Sequence, residues 1–177
     1  MSNVYSVAIV MDPITSINIK KDSTLAMMLE AQSRGYVLYY LQQGDLFVRE
    51  GMVYAHLTPI SINLDSYPWF SLGESFTQPL HLVDVVLMRK DPPFDMEYVY
   101  STYLLEMAER AGTLVVNRPA SIRAANEKLF ATWFAEFCPP TLVTRSMTRI
   151  REFVKEQQHI VVKPLDGMGG SQVFQIK

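Results

Sequence analysis

The chain has 177 residues, 49% of them hydrophobic and 19% charged, with a formal net charge of −2. That is enough apolar material to bury a core as one large or two small domains, which excludes a disordered chain. There is no dense run of Lys or Arg to grip a nucleic-acid backbone, so any bound phosphate belongs to a small ligand, and the single cysteine, Cys138, excludes an intrachain disulfide and a thiol-rich metal cluster.

Residues 4–11 read as a first strand. They have neither the basic start nor the long apolar core of a signal peptide, and no later stretch is long enough to cross a bilayer, so no membrane role is expected. Leu25, Met28 and Leu29 form one apolar stripe of a helix that Asp22 or Ser23 can cap and Gly35 can stop. Residues 36–41 are a second strand, completing the strand, helix, strand opening of a layered α/β fold. Glu50-Gly51 separates two extended stretches and predicts a surface hairpin containing His56. His56, His81 and His159 lie far apart in sequence, with no Cys or carboxylate at ligand spacing, so no metal site is expected from them. Residues 61–82 are turn-rich, and their aromatics Tyr67, Trp69, Phe70 and Phe76 are expected to pin an irregular excursion onto the domain, with a partner surface as the other reading.

Residues 84–90 have the continuous apolar run of a central strand, broken at once by Asp91-Pro-Pro. Polar groups just beyond the carboxyl end of such a strand face the usual ligand crevice of an open α/β sheet. Arg89 is therefore a candidate to bind a carboxylate-bearing substrate. A structural ion pair with Asp91 or Asp95 is the competing role. A helix from Met96 to Gly112 and a strand over 113–117 follow.

Residues 126–135 read as a helix beginning at Glu127 and Lys128, with Leu129, Phe130, Trp133 and Phe134 on a face expected to be core rather than an adenine clamp. A short strand is expected over 141–144 and a helix over 150–157. The last stretch is the most informative. Ile160, Val161 and Val162 are β-branched, Pro164 breaks the run, Gly167, Gly169 and Gly170 follow, and an extended pattern resumes at Val173. This predicts strand, glycine-rich turn, strand, with Lys163 set in the first strand. Such a turn can aim its backbone amides at an anion, or it can be a plain hairpin. Neither a P-loop nor a dinucleotide fingerprint is present, because Lys163 precedes the glycines and a strand follows them.

The stretches Val10-Met-Asp-Pro-Ile14, Leu87-Met-Arg-Lys-Asp-Pro-Pro-Phe-Asp95, Val116-Asn-Arg-Pro119, Asn126-Glu-Lys-Leu-Phe130 and Val162-Lys-Pro-Leu-Asp-Gly-Met-Gly-Gly170 together resemble the bacterial glutathione synthetases, which are ATP-grasp ligases. The resemblance covers all 177 residues. It implies an α/β fold: a layered N-terminal substrate domain with a mainly parallel sheet over residues 1–122, then the first part of an ATP-grasp domain over residues 123–177. It implies ATP-driven joining of γ-glutamylcysteine to glycine through an acyl phosphate, with Mg2+ bridging the phosphates, in a cytoplasmic homo-oligomer. Carried over by matching motif, Lys128 and Lys163 contact ATP. Gly167, Gly169 and Gly170 resemble the loop that closes over the reacting phosphate, and Arg89 is a substrate contact in the N-terminal domain.

The resemblance also implies that the magnesium ligands and most of the adenine pocket lie beyond Lys177. Residues 1–177 alone are accordingly expected not to turn over. Two other readings stay open: a different ATP-grasp carboxylate-amine ligase, and a non-catalytic nucleotide-binding fragment.

Overall fold

The computed structural model describes residues 4–167, 170 and 172–177. The chain divides into two compact units, Met1–Ile122 and Arg123–Lys177.

The first unit is built on β1 (Ser6–Val10), whose side chains alternate between two cores. Val7, Ile9 and Met11 join Leu25 and Met28 of α1 (Ser23–Ser33), whereas Ala8 and Val10 join a second core. This is the two-residue period of a strand buried on both faces. Asp22 caps α1, its carboxylate accepting from the Leu25 amide at 2.8 Å. β2 (Val37–Leu41) returns parallel to β1, Ser6 opposite Val37.

β3 (Leu46–Arg49) and β4 (Met52–Ile62) form the expected hairpin. Glu50 and Gly51 both take positive φ, 53° and 77°, as a tight two-residue turn between twisted strands requires. The turn-rich stretch after β4 contributes two short strands, β5 (Phe70–Leu72) and β6 (Phe76–Pro79), both antiparallel to β4. Phe70 and Trp69 pack against a core. Tyr67 does not pin the segment, being 99% exposed.

β7 (Val85–Met88) lies parallel to β1 on the side opposite β2. α2 (Met96–Arg110) follows, and Tyr98, Leu105 and Ala108 bury its inner face in the second core. β8 (Leu114–Val116) then pairs parallel to β7. The sheet order β3-β4-β2-β1-β7-β8 is thus parallel across β2-β1-β7-β8, the part the sequence foretold, and antiparallel where β4 collects β2, β3, β5 and β6. Helices α1 and α2 serve different cores, which gives the layered α/β architecture.

α3 (Pro119–Ala124) precedes the turn at residues 127–129. The second unit departs from the sequence reading in two places. The helix expected over 126–135 is a 3-10 stretch, Phe130–Phe137, interrupted by non-helical geometry at Phe134. Leu129, Trp133 and Phe134 are 42%, 71% and 48% exposed rather than core, because helical spacing marks an apolar face without supplying anything to cover it. Residues 141–144 form no strand: Pro139 and Pro140 lead into irregular backbone that pairs with no ladder. α4 (Met147–Gln157) is capped by Ser146, and Gln158 ends it at φ 61°. β9 (Ile160–Val162) and β10 (Phe174–Ile176) close the unit as an antiparallel pair. Among the described residues no helix is long and apolar enough to cross a membrane.

Candidate functional site

Two groups of polar residues stand out, one in each unit. In the second unit the pairing of Phe174 with Val162 makes β9 and β10 a hairpin, and the described residues 163–167, 170, 172 and 173 lie in its loop. Lys163 is the first residue of this loop, one position past the strand that the sequence reading placed it in. It is exposed, so its charge carries no desolvation cost, and it has no ion pair among the described residues. Gly170 takes φ 78°, a left-handed conformation that a side chain would oppose. Gly169 lies outside the described residues.

Lys128 is brought to this loop from the preceding segment. Its ammonium donates to the Gly167 carbonyl and to the Glu127 carboxylate, the latter at 2.7 Å. It sits in a turn rather than at the start of a helix, and its side chain is only 20% exposed. Asn126 organises that turn. Its Oδ1 accepts from the Lys128 and Leu129 amides at 3.1 and 2.9 Å, and its Nδ2 donates to the Leu165 carbonyl at 3.1 Å. The fold therefore gathers Asn126, Lys128 and the first half of the glycine loop. Sequence reading missed Asn126, although an Asn directly before Glu-Lys-Leu-Phe is a recognisable cap signal.

In the first unit, β1 has β2 on one side and β7 on the other, so the chain direction of the crossovers reverses between β1 and β7. Open α/β sheets form their crevice at such a switch point, beyond the carboxyl ends of the strands. The residues there are Asp12 after β1 and Arg89, Lys90 and Asp91 after β7. The Arg89 guanidinium donates to the Ser23 hydroxyl at 2.9 Å and the Thr24 hydroxyl at 3.1 Å, both at the start of α1. Neither Asp91 nor Asp95 pairs with it. Asp95 caps α2 through the Tyr98 amide at 2.9 Å, and the Asp91 amide donates to Asp12 at 2.9 Å. Lys90 is neutralised by Asp12 at 2.9 Å. Among the described residues the Arg89 side chain is thus held by two hydroxyls at the positive end of a helix, with no carboxylate paired to it. Burial pushes the Tyr98 phenol above its ordinary value, and the nearby Arg89 charge opposes that rise. The sequence reading did not nominate Asp12, Ser23 or Thr24 as site residues, because only the fold brings them to Arg89 and Lys90.

Residues 5–123 match the family model described as the N-terminal domain of prokaryotic glutathione synthetase. The chain belongs to the prokaryotic glutathione synthetase family. Residues 127–177 match the family's ATP-grasp domain, so the loop and Lys128 fall within that part. Among similar proteins named glutathione synthetase, that of Pseudomonas aeruginosa is 57% identical over 166 residues, covering 94% of this chain and 52% of its own length. That of Shewanella oneidensis is 54% identical over 169 residues, covering 96% and 54%. That of Escherichia coli K12 is 52% identical over 169 residues, again covering 96% and 54%. The chain spans about half the length of the curated relatives it matches. A solved structure of the ATP-grasp ligase PsnB complexed with minimal precursor superposes with a TM-score of 0.55 at 18% identity, covering 98% of this chain and 57% of that one. At that identity the likeness shows a shared fold alone.

Proposed function

We propose that the full-length gene product is an ATP-dependent ligase that joins γ-glutamylcysteine to glycine, forming glutathione with release of ADP and phosphate. The reading rests on one observation: within the part matched by the ATP-grasp model, Lys128 is held against the glycine loop that Lys163 opens. Two cations flanking a glycine-rich turn suit a polyphosphate, since ammonium groups neutralise phosphate charge and glycine amides can approach it closely. The Lys163 ammonium, exposed and without an ion pair among the described residues, is available to such a ligand. Lys128 reaches it by exchanging the Gly167 carbonyl for a phosphate oxygen.

The chemistry then follows from the two substrates. A carboxylate oxygen of γ-glutamylcysteine attacks the terminal phosphorus of ATP, ADP leaves, and the glycine amine displaces phosphate from the resulting acyl phosphate. Gly167, Gly169 and Gly170 are assigned to a loop that closes over the reacting phosphate and keeps water from the acyl phosphate. Lys128 and Lys163 stabilise charge and position; they transfer no proton. Arg89 is assigned to a carboxylate of γ-glutamylcysteine, for which a guanidinium supplies a two-pronged donor. Mg2+ would neutralise the phosphates, but the described residues gather no group of three or more His, Cys, Asp or Glu to hold it, and no residue of this chain is assigned to it. Residues 1–177 alone are expected not to turn over.

A panel of carboxylate and amine substrates offered to the full-length protein, with product mass read out, tests the assignment. Glutathione formed only from γ-glutamylcysteine and glycine supports it. A preference for another carboxylate-amine pair would leave an ATP-grasp ligase of different specificity.

A further inference from the structure

Asn126 and Lys128 hold the glycine loop with the same two-residue spacing. The Asn126 carboxamide donates to the Leu165 carbonyl at 3.1 Å, and Lys128, two residues on, donates to the carbonyl of Gly167, two residues on. The two donors differ in kind. Lys128 is a cation on a flexible stem, and both of its acceptors are ones a phosphate can replace. Asn126 is neutral, so a phosphate draws on it less strongly than on the Lys128 ammonium. Three of its carboxamide's four hydrogen-bonding positions are engaged: Oδ1 holds the Lys128 and Leu129 amides and one Nδ2 hydrogen holds Leu165, while its backbone carbonyl accepts from Phe130 at 2.8 Å.

We propose that Asn126 is a positioning residue for ATP, the fixed pin that keeps the base of the glycine loop in place when Lys128 lets go of Gly167. The proposal rests on the ATP-binding reading above. When nucleotide takes Lys128 from Gly167, the Asn126–Leu165 contact is the tether that stays. Through Oδ1 the same side chain sets the backbone of Lys128, so the pin fixes the loop and the cation relative to each other. Only an Asn of this length meets both demands, because Asp offers acceptors without the donor, and Ser can cap the turn but cannot reach Leu165. The side chain is exposed, so its tether contributes little to folding and its removal separates positioning from stability.

The experiment uses the full-length protein with Asn126→Ser, which stays neutral and keeps a capping oxygen, and Asn126→Asp, which keeps the shape. Binding of a non-hydrolysable ATP analogue with Mg2+, KM for each substrate and melting temperature are measured for both. The expected result is an ATP Kd and KM raised about fivefold to tenfold, the worth of one net hydrogen bond, in both variants. The KM for γ-glutamylcysteine and the melting temperature should stay at wild-type values. The effect should persist at high salt, which screens any repulsion introduced by the aspartate. Wild-type ATP affinity in Asn126→Ser would overturn the proposal while leaving the ligase reading intact. A loss confined to Asn126→Asp and abolished by salt would overturn it too, since charge rather than the tether would be the cause. Failure of the wild-type protein itself to bind the analogue would overturn both readings together.

Discussion

Replacing Lys128 with Met removes a charge while keeping most of the apolar stem, and the structure says which properties should change. Lys128 contacts the Glu127 carboxylate, which is 77% exposed, and the Gly167 carbonyl. An ion pair with so exposed a partner contributes only about 0–1 kcal/mol, so Lys128→Met should barely alter the melting temperature. A charge-assisted bond to a phosphate oxygen is worth more, about 1.5–3 kcal/mol. At room temperature that corresponds to roughly a tenfold to 150-fold weaker Kd for ATP. Isothermal titration of the full-length variant with a non-hydrolysable ATP analogue and Mg2+, beside a thermal melt, reads both quantities. An ATP Kd within about twofold of wild type would refute the reasoning, because one neutral bond is already worth more than that. A large fall in melting temperature would instead make Lys128 a structural latch.

Lys163→Ala should leave the fold intact and slow the reaction about thirtyfold to a thousandfold, equivalent to roughly 2–4 kcal/mol of transition-state stabilisation, measured as steady-state kcat/KM of the full-length protein. Arg89→Ala should weaken γ-glutamylcysteine binding more than ATP binding; an equal loss for both ligands with lowered stability would mark the Ser23 and Thr24 contacts as structural. The Ser6 hydroxyl and amide, each 2.7 Å from Asp84, hold its carboxyl below the ordinary range. The stabilisation from that lowered pKa is full above the unfolded value and lost as pH falls through the folded one, below about pH 4. Ser6→Ala should therefore lower the urea midpoint at neutral pH and narrow its gap to wild type under acid conditions.

How legible each part was depends on what holds it in place. β1, α1, β2 and β7 follow from local signals: apolar runs, the Asp22 cap and the glycine stop at Gly35. The β9–β10 hairpin was legible for the same reason, since β-branched residues flank a glycine turn. Beyond the expected β3–β4 hairpin, the antiparallel part of the sheet was not, because β5 and β6 are three and four residues long and exist only as partners of β4. Trp133 and Phe134 show the opposite failure. Their spacing is that of a buried helical face, but burial is a property of neighbours, and Phe134 is instead where the backbone leaves helical geometry. At the candidate sites, Lys128, Lys163 and Arg89 could be nominated from their neighbours in sequence. Their partners could not: Gly167 lies 39 residues from Lys128, and Thr24 lies 65 residues from Arg89.

The most direct test of the account is ADP release by the full-length protein with Mg2+ and ATP when γ-glutamylcysteine and glycine are supplied together and when each is left out. The account predicts release that needs both substrates, one ADP for each glutathione formed. ADP release indifferent to both, or binding of ATP with no ADP formed under any combination, would contradict it.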